Sequence, residues 1–129
     1  MKAERTAANL IAAGRRLFAR HGYDGSSVRA ITEDAGANLG AITYHFGSKH
    51  GLYDAVVATC LTPFADRVAD IAGSAGAPID RLSAVVRAYF EHLWQNPDLP
   101  FLMTQELAAG RLPPPSAGAA MRKVLGAIA

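Results

Sequence analysis

Apolar residues along this chain recur at intervals of three and four, the spacing that gathers them on one side of an α-helix. Leu10, Ile11, Gly14, Leu17 and Phe18 share a face while Arg15, Arg16 and Arg20 lie off it, which predicts a first helix over about Arg5–His21. Gly22 is placed to end that helix with a left-handed cap. After the loop Tyr23-Asp24-Gly25, Ser26 or Ser27 suits the N-cap of a short helix over about Val28–Ala35, with Val28, Ile31 and Ala35 as its inner stripe. Gly36 stops it, Ala37-Asn38 makes a brief turn, and a third helix is expected over about Leu39–Phe46. Gly47 breaks the third helix. Ser48 caps a fourth, whose inner face carries Leu52, Val56, Val57 and Cys60. Pro63 is expected to bend this helix or to fall near its end.

The run Ile71–Pro78 is rich in Gly, Ala and Ser and reads as a linker. Pro78 suits the first turn of a strong amphipathic helix bearing Leu82, Val85, Val86, Tyr89, Phe90 and Leu93, ended by Asn96-Pro97. A shorter helix fits Phe101–Ala109, and Pro113-Pro114-Pro115 is a stiff connector. The last segment repeats the pattern with Met121, Val124, Leu125 and Ile128. No strand-like alternation and no internal repeat stands out, so the expected fold class is all-α.

Composition changes this picture little. The chain has 129 residues, half of them apolar, enough for a real core. The net charge of +2 says nothing by itself, but its distribution does. Up to Cys60 there are seven Lys or Arg against five Asp or Glu, and beyond it six against six. The basic excess thus lies in the first half, a weak footprint of a phosphate-binding surface. A lone cysteine, Cys60, forms no internal disulfide and fits a reducing compartment, and the N-terminus does not read as a signal peptide. No apolar run approaches the length of a membrane span. The expected location is cytoplasmic.

Two short helices joined by a tight glycine-containing turn form a helix-turn-helix, here over residues 26–45. The second helix must enter the major groove, so its exposed face is small or polar, while the first crosses above it through Ile31, Ala35 and Ile42. The segment Ser26 to Lys49 resembles the TetR family of bacterial regulators. The run Tyr44-His45-Phe46-x-Ser48-Lys49 followed by Leu52 carries the resemblance, with Phe18-x-x-x-Gly22-Tyr23 before it. It is strong over about Ala3 to Pro63 and weak beyond. It implies a helix-turn-helix DNA-binding domain over residues 3–63 and a helical ligand-binding and dimerisation region, short or truncated, over 64–129.

The resemblance also implies roles. Ser27, Val28 and Arg29 touch backbone and sometimes a base. Asn38, Leu39, Gly40 and Ala41 approach base edges, and Thr43 reaches DNA. Tyr44 and His45 hold phosphates, and Lys49 is the phosphate clamp. A helix N-terminus with its free N–H groups suits that last role independently of the family. Leu39 stands where a polar or basic residue is usual and Thr43 where tyrosine is. Arg29, the only long cation within the motif, becomes the candidate for a bidentate guanine contact.

The function expected is that of a sequence-specific transcriptional regulator. It would act as a ligand-responsive repressor, a homodimer on a near-palindromic double-stranded DNA operator. The alternative is a helical ligand-binding or protein-interaction module with weak or no DNA binding. Tyr89, Phe90, Trp94, Phe101 and Met103 are candidates to line an effector pocket, against plain core. Arg15, Arg16 and Arg20 read as a solvated face, and Lys2 and Arg5 as a disordered terminus, against an arm that enters a minor groove. His21, His50 and His92 lack metal-ligand spacing, and no nucleophile constellation supports an enzyme; no metal or cofactor is expected. The apolar face of Met121, Val124, Leu125 and Ile128 has little in the sequence to pack on.

Overall fold

The structure, a computed structural model, describes residues 2–110 and 114–128, with only the backbone of Ile128. Seven α-helices follow one another among these residues: α1 (Lys2–His21), α2 (Val28–Ala35), α3 (Ala41–Phe46), α4 (Lys49–Ala72), α5 (Pro78–Gln95), α6 (Leu99–Ala109) and α7 (Pro115–Ile128). The fold is all-α, and no strand occurs among the described residues. Of the expected Pro113-Pro114-Pro115 connector, Pro113 lies outside them, as does the side chain of Ile128.

The core forms where α1, α2, α3 and α4 turn their apolar stripes on one another. Leu10, Ala13, Phe18, Ile31, Ile42, Leu52, Val56 and Val57 are essentially solvent-free. Phe18 meets Tyr53 edge-on with ring centroids 5.1 Å apart, and Tyr23 lies against both rings. Leu99 and Leu102 bring α6 into the same cluster. Burial of a single Leu or Phe side chain is worth about 1.5–3 kcal/mol, so this cluster dominates the stability of the unit.

Four sequence expectations change. First, α1 begins at Lys2, so Lys2 and Arg5 lie in a helix instead of a loose arm. Second, α4 continues past Pro63 to Ala72, so the proline does not fall near its end. The ring is exposed and removes only the bond to the Thr59 carbonyl, while Val56, Val57 and Cys60 before it and Ala65 and Val68 after it stay buried. The division expected after Pro63 therefore falls inside one continuous helix. Third, α3 starts at Ala41, leaving Leu39 and Gly40 in the turn. Fourth, Arg15 is half-buried, for the reason given below.

The later helices arrange themselves along α4. An ion pair joins Arg67 to Glu91 of α5 at 2.7 Å, and Phe64 stacks on His92 at 5.2 Å. Ser116 at the start of α7 donates from its backbone N–H to the Asp54 carboxylate at 2.9 Å, and Lys123 pairs with Asp66. These two contacts run in the same order along both helices, so α7 lies roughly parallel to α4.

Candidate nucleic-acid interface

Local chemistry fixes the two short helices. The hydroxyl of Ser27 accepts the Ala30 backbone N–H at 3.0 Å and caps α2. The neighbouring Ser26 hydroxyl is buried and donates instead to the Gly22 carbonyl at 2.7 Å. At the other end Gly36 adopts φ 66°, a left-handed conformation costly to a residue with a Cβ. Its N–H donates to Glu33 and that of Ala37 to Thr32, at 3.1 and 2.9 Å, closing the helix end and turning the chain sharply into α3. Ile31 and Ile42 lock α2 to α3 in the core, with Ala35 packed beside them.

At the end of α3, Gly51 brings α4 close. A Cβ there would sit 2.0 Å from the Phe46 carbonyl oxygen, so only glycine lets α4 start this near to α3. The Ser48 hydroxyl accepts the Gly51 N–H at 3.0 Å and caps α4.

The outer surface of this unit gathers most of the expected DNA-contacting residues. Ser27, Arg29, Asn38, Leu39, Gly40, Thr43 and Tyr44 are exposed, and Ala41 and His45 are partly so. Tyr44 is 83% exposed although it is a large aromatic, and its ring meets His45 edge-on at 4.9 Å. Leu39 is 54% exposed. Val28 differs: it is half-buried and packs against the core, so its side chain serves the frame of α2. A groove of about 760 Å³ opens beside α3, lined by Gly36, Ala37, Asn38, Gly40, Ala41, Tyr44 and His45 on one side and by Lys2, Ala3 and Thr6 of α1 on the other.

Lys49 points inward instead of outward. Its ammonium donates to the Tyr23 carbonyl at 2.6 Å and lies 4.2 Å from the centre of the Tyr23 ring. It thereby ties the start of α4 to the loop between α1 and α2.

The candidate pocket residues scatter. Tyr89 meets Phe90 at 5.6 Å and Phe64 of α4 at 6.0 Å, and Trp94 is 88% exposed. Phe101 borders a separate open groove with Arg16, Leu17, Ala19, Arg20, Asp34 and Asp98. Met103 packs against the core. Among the described residues, no group of His, Cys, Asp and Glu is arranged to hold a metal ion.

The periodicity gave no sign of the contacts that fasten α6 onto α1. Arg15 donates to both carboxylate oxygens of Asp98, at 2.5 and 2.6 Å, and to the Asn96 side chain at 2.8 Å. This fork holds the Asp98 carboxyl below its usual range and raises the guanidinium further. One turn before the end of α6, Gln105 donates to the Ala19 carbonyl at 2.7 Å. Arg16 pairs with Asp34 of α2 at 2.6 Å. Burial pushes the Cys60 thiol up, as expected for a core residue. An off-face arginine such as Arg15 followed much later by Asn-Pro-Asp was the one available sign of the fork, and nothing in the sequence pairs the two.

With this geometry in view, the comparisons with known proteins are specific. The family model described as "Bacterial regulatory proteins, tetR family" matches residues 10–56. Similar curated proteins include the HTH-type transcriptional repressor AcnR of Corynebacterium glutamicum, 46% identical over 44 residues, which are 34% of this chain and 23% of that protein. Another is the HTH-type transcriptional repressor KstR2 of Mycobacterium tuberculosis, 33% identical over 75 residues, 58% of this chain and 38% of that one. The chain thus spans well under half the length of either repressor. In fold it is similar to the TetR family transcriptional regulator PfmR of Thermus thermophilus, with a TM-score of 0.74, 20% identity, 92% of this chain covered and 65% of that one. Residues 10–56, which hold the capped α2–α3 pair, thus match the helix-turn-helix region of the bacterial TetR family.

Proposed function

We propose that the chain is a sequence-specific, DNA-binding transcriptional regulator that works as a homodimeric repressor on a near-palindromic operator. The observation that carries this reading is the α2–α3 unit itself: a rigidly capped pair of helices whose outward face holds Ser27, Arg29, Asn38, Leu39, Gly40, Thr43 and Tyr44 in the open. α3 enters the major groove. Arg29 reaches a guanine edge with its two-pronged guanidinium, Leu39 meets a thymine methyl, and Thr43 bonds or packs against a base. Tyr44 and His45 hold phosphates beside the small backbone-exposing residues Gly40 and Ala41, and Lys49 contributes by fixing the frame against Tyr23. Two reading heads then span half-sites about 34–36 Å apart or a multiple of that distance.

Residues 3–63 serve as the reading domain and 64–129 as the regulatory region, in the cytoplasm. A small-molecule effector near Tyr89, Phe90, Trp94, Phe101 and Met103 would release the DNA only by binding the non-DNA conformation better. The α1–α6 fork gives such an event a direct route to the reading domain.

The test is a gel shift over a salt series, using duplex enriched from a random pool by the chain itself. Binding whose affinity falls steeply with salt is expected. The exposed apolar residues of α5 favour one rival, a helical interaction module; absence of binding, or binding with no salt slope, decides for it.

A further inference from the structure

The groove beside α3 has a wall that the helix-turn-helix does not supply. Lys2, Ala3 and Thr6, from the first two turns of α1, line the groove together with Asn38, Tyr44 and His45 and with a floor formed by the small residues Gly36, Ala37, Gly40 and Ala41. The floor is nearly without side chains, so a ligand can approach the backbone closely. The rim is polar: an ammonium, a hydroxyl, an amide, a phenol and an imidazole line it, and no carboxylate does. That combination suits a chain of phosphates and sugars. The geometry points to α1 as a second DNA-contacting element, with Lys2 gripping a backbone phosphate of the strand that flanks the major groove occupied by α3. This rests on the DNA-binding reading above.

Position supports it. A helix lying in the major groove has a phosphate strand on either side, and the groove lies on the side of α3 that faces α1. The Thr6 hydroxyl donates to the Lys2 carbonyl at 3.0 Å, which fixes the first turn that presents the Lys2 side chain. The Lys2 side chain is exposed, and the helix dipole does not favour a cation at its place. A cation in the first turn of a helix faces the positive end of the helix dipole, and Glu4 is the residue there that suits it.

This separates binding from folding. Lys2→Gln in the full chain is expected to leave the unfolding midpoint unchanged or slightly higher. It should also lower the slope of log affinity against log salt by about one unit, equally for preferred and scrambled duplexes. The probe is the duplex enriched by the wild-type chain. Unchanged affinity and slope in Lys2→Gln would overturn the assignment while leaving the proposed function standing; failure of the wild-type chain to bind any duplex overturns both. A changed base preference would put Lys2 on a base edge and also refute the phosphate contact. Competition by inorganic phosphate beyond its ionic strength would mark a free-anion site instead.

Discussion

The helices before the linker at Gly73 and those after it treat their apolar side chains in opposite ways. In α1–α4, Leu10, Ile31, Leu52, Val56 and their neighbours vanish from solvent, and among the described residues the large apolar side chains left exposed are Leu39 and Tyr44. Both of those lie in or beside α3. In α5–α7 ten such residues are exposed, including Ile79, Leu82, Val86, Phe90 and Trp94 along one side of α5. The first region is closed on itself; the second rests on α4 by one face and leaves the other uncovered. The difference teaches where shape is determined. The proposed reading surface owes its geometry to a core that does not involve the outer face of α5, and the two regions are joined through α4 and the polar fastening of α6 to α1.

Substitutions should expose that asymmetry most strongly in the core. Phe18→Ala is expected to cost about 3–5 kcal/mol, because a closed, well-packed cluster cannot collapse around the hole. Trp94→Ala, which removes a larger ring, is expected to stay within about 0.5 kcal/mol, since that ring is 88% exposed. Urea unfolding of both variants measures the contrast. Comparable losses at the two positions would break it and would mean that the outer face of α5 is covered in solution.

The second effect in size belongs to the proposed reading surface. Arg29 is exposed on α2 and makes no ion pair among the described residues. Arg29→Ala is therefore expected to leave the unfolding midpoint nearly unchanged while costing about 1–3 kcal/mol in binding to the preferred duplex and much less to a scrambled one. Equal losses on both would demote Arg29 to a phosphate contact.

Much of this was legible in the sequence, for physical reasons that differ by element. The bounds of α2 and the roles of Ser27 and Gly36 could be read because capping and left-handed turns are local chemistry. The continuation of α4 through Pro63 could not, since burial on both sides of the proline outweighs one missing bond. The Arg15–Asp98 fork was hidden because it joins residues 83 apart in the chain, and no periodicity records such a pairing. For the interface, the exposed set around α3 followed from position in the motif, whereas the inward turn of Lys49 depended on where the Tyr23 carbonyl came to lie.

That fork gives a smaller, pH-dependent effect. The Asp98 carboxyl is held below its usual range by Arg15, so its contribution is fully present above the unfolded value, near 3.8, and is lost as pH falls through the lower folded value. Asp98→Asn should lower stability by about 1 kcal/mol at neutral pH and by progressively less in acid. Unfolding curves of the two proteins would then converge below the ordinary carboxylate range. Parallel curves across that range would mean that the fork adds nothing electrostatic to the α1–α6 junction.

Lys49 carries the smallest expected effect and the sharpest contrast with Lys2. Both are lysines near a helix start beside the proposed interface, yet one ammonium sits on the Tyr23 carbonyl and ring and the other lines the open groove. Lys49→Met should therefore lower the unfolding midpoint, because a part-buried cation–π contact worth about 0.5–1 kcal/mol disappears and the bond to the Tyr23 carbonyl is lost with it. The salt slope of DNA binding should remain that of the wild-type chain. Lys2→Gln should do the reverse, with slope reduced and midpoint preserved. If Lys49→Met instead lowers the slope by about one unit at unchanged stability, its ammonium leaves Tyr23 for a phosphate when DNA arrives. The start of α4 would then belong to the contact surface directly, and not through the frame that it holds.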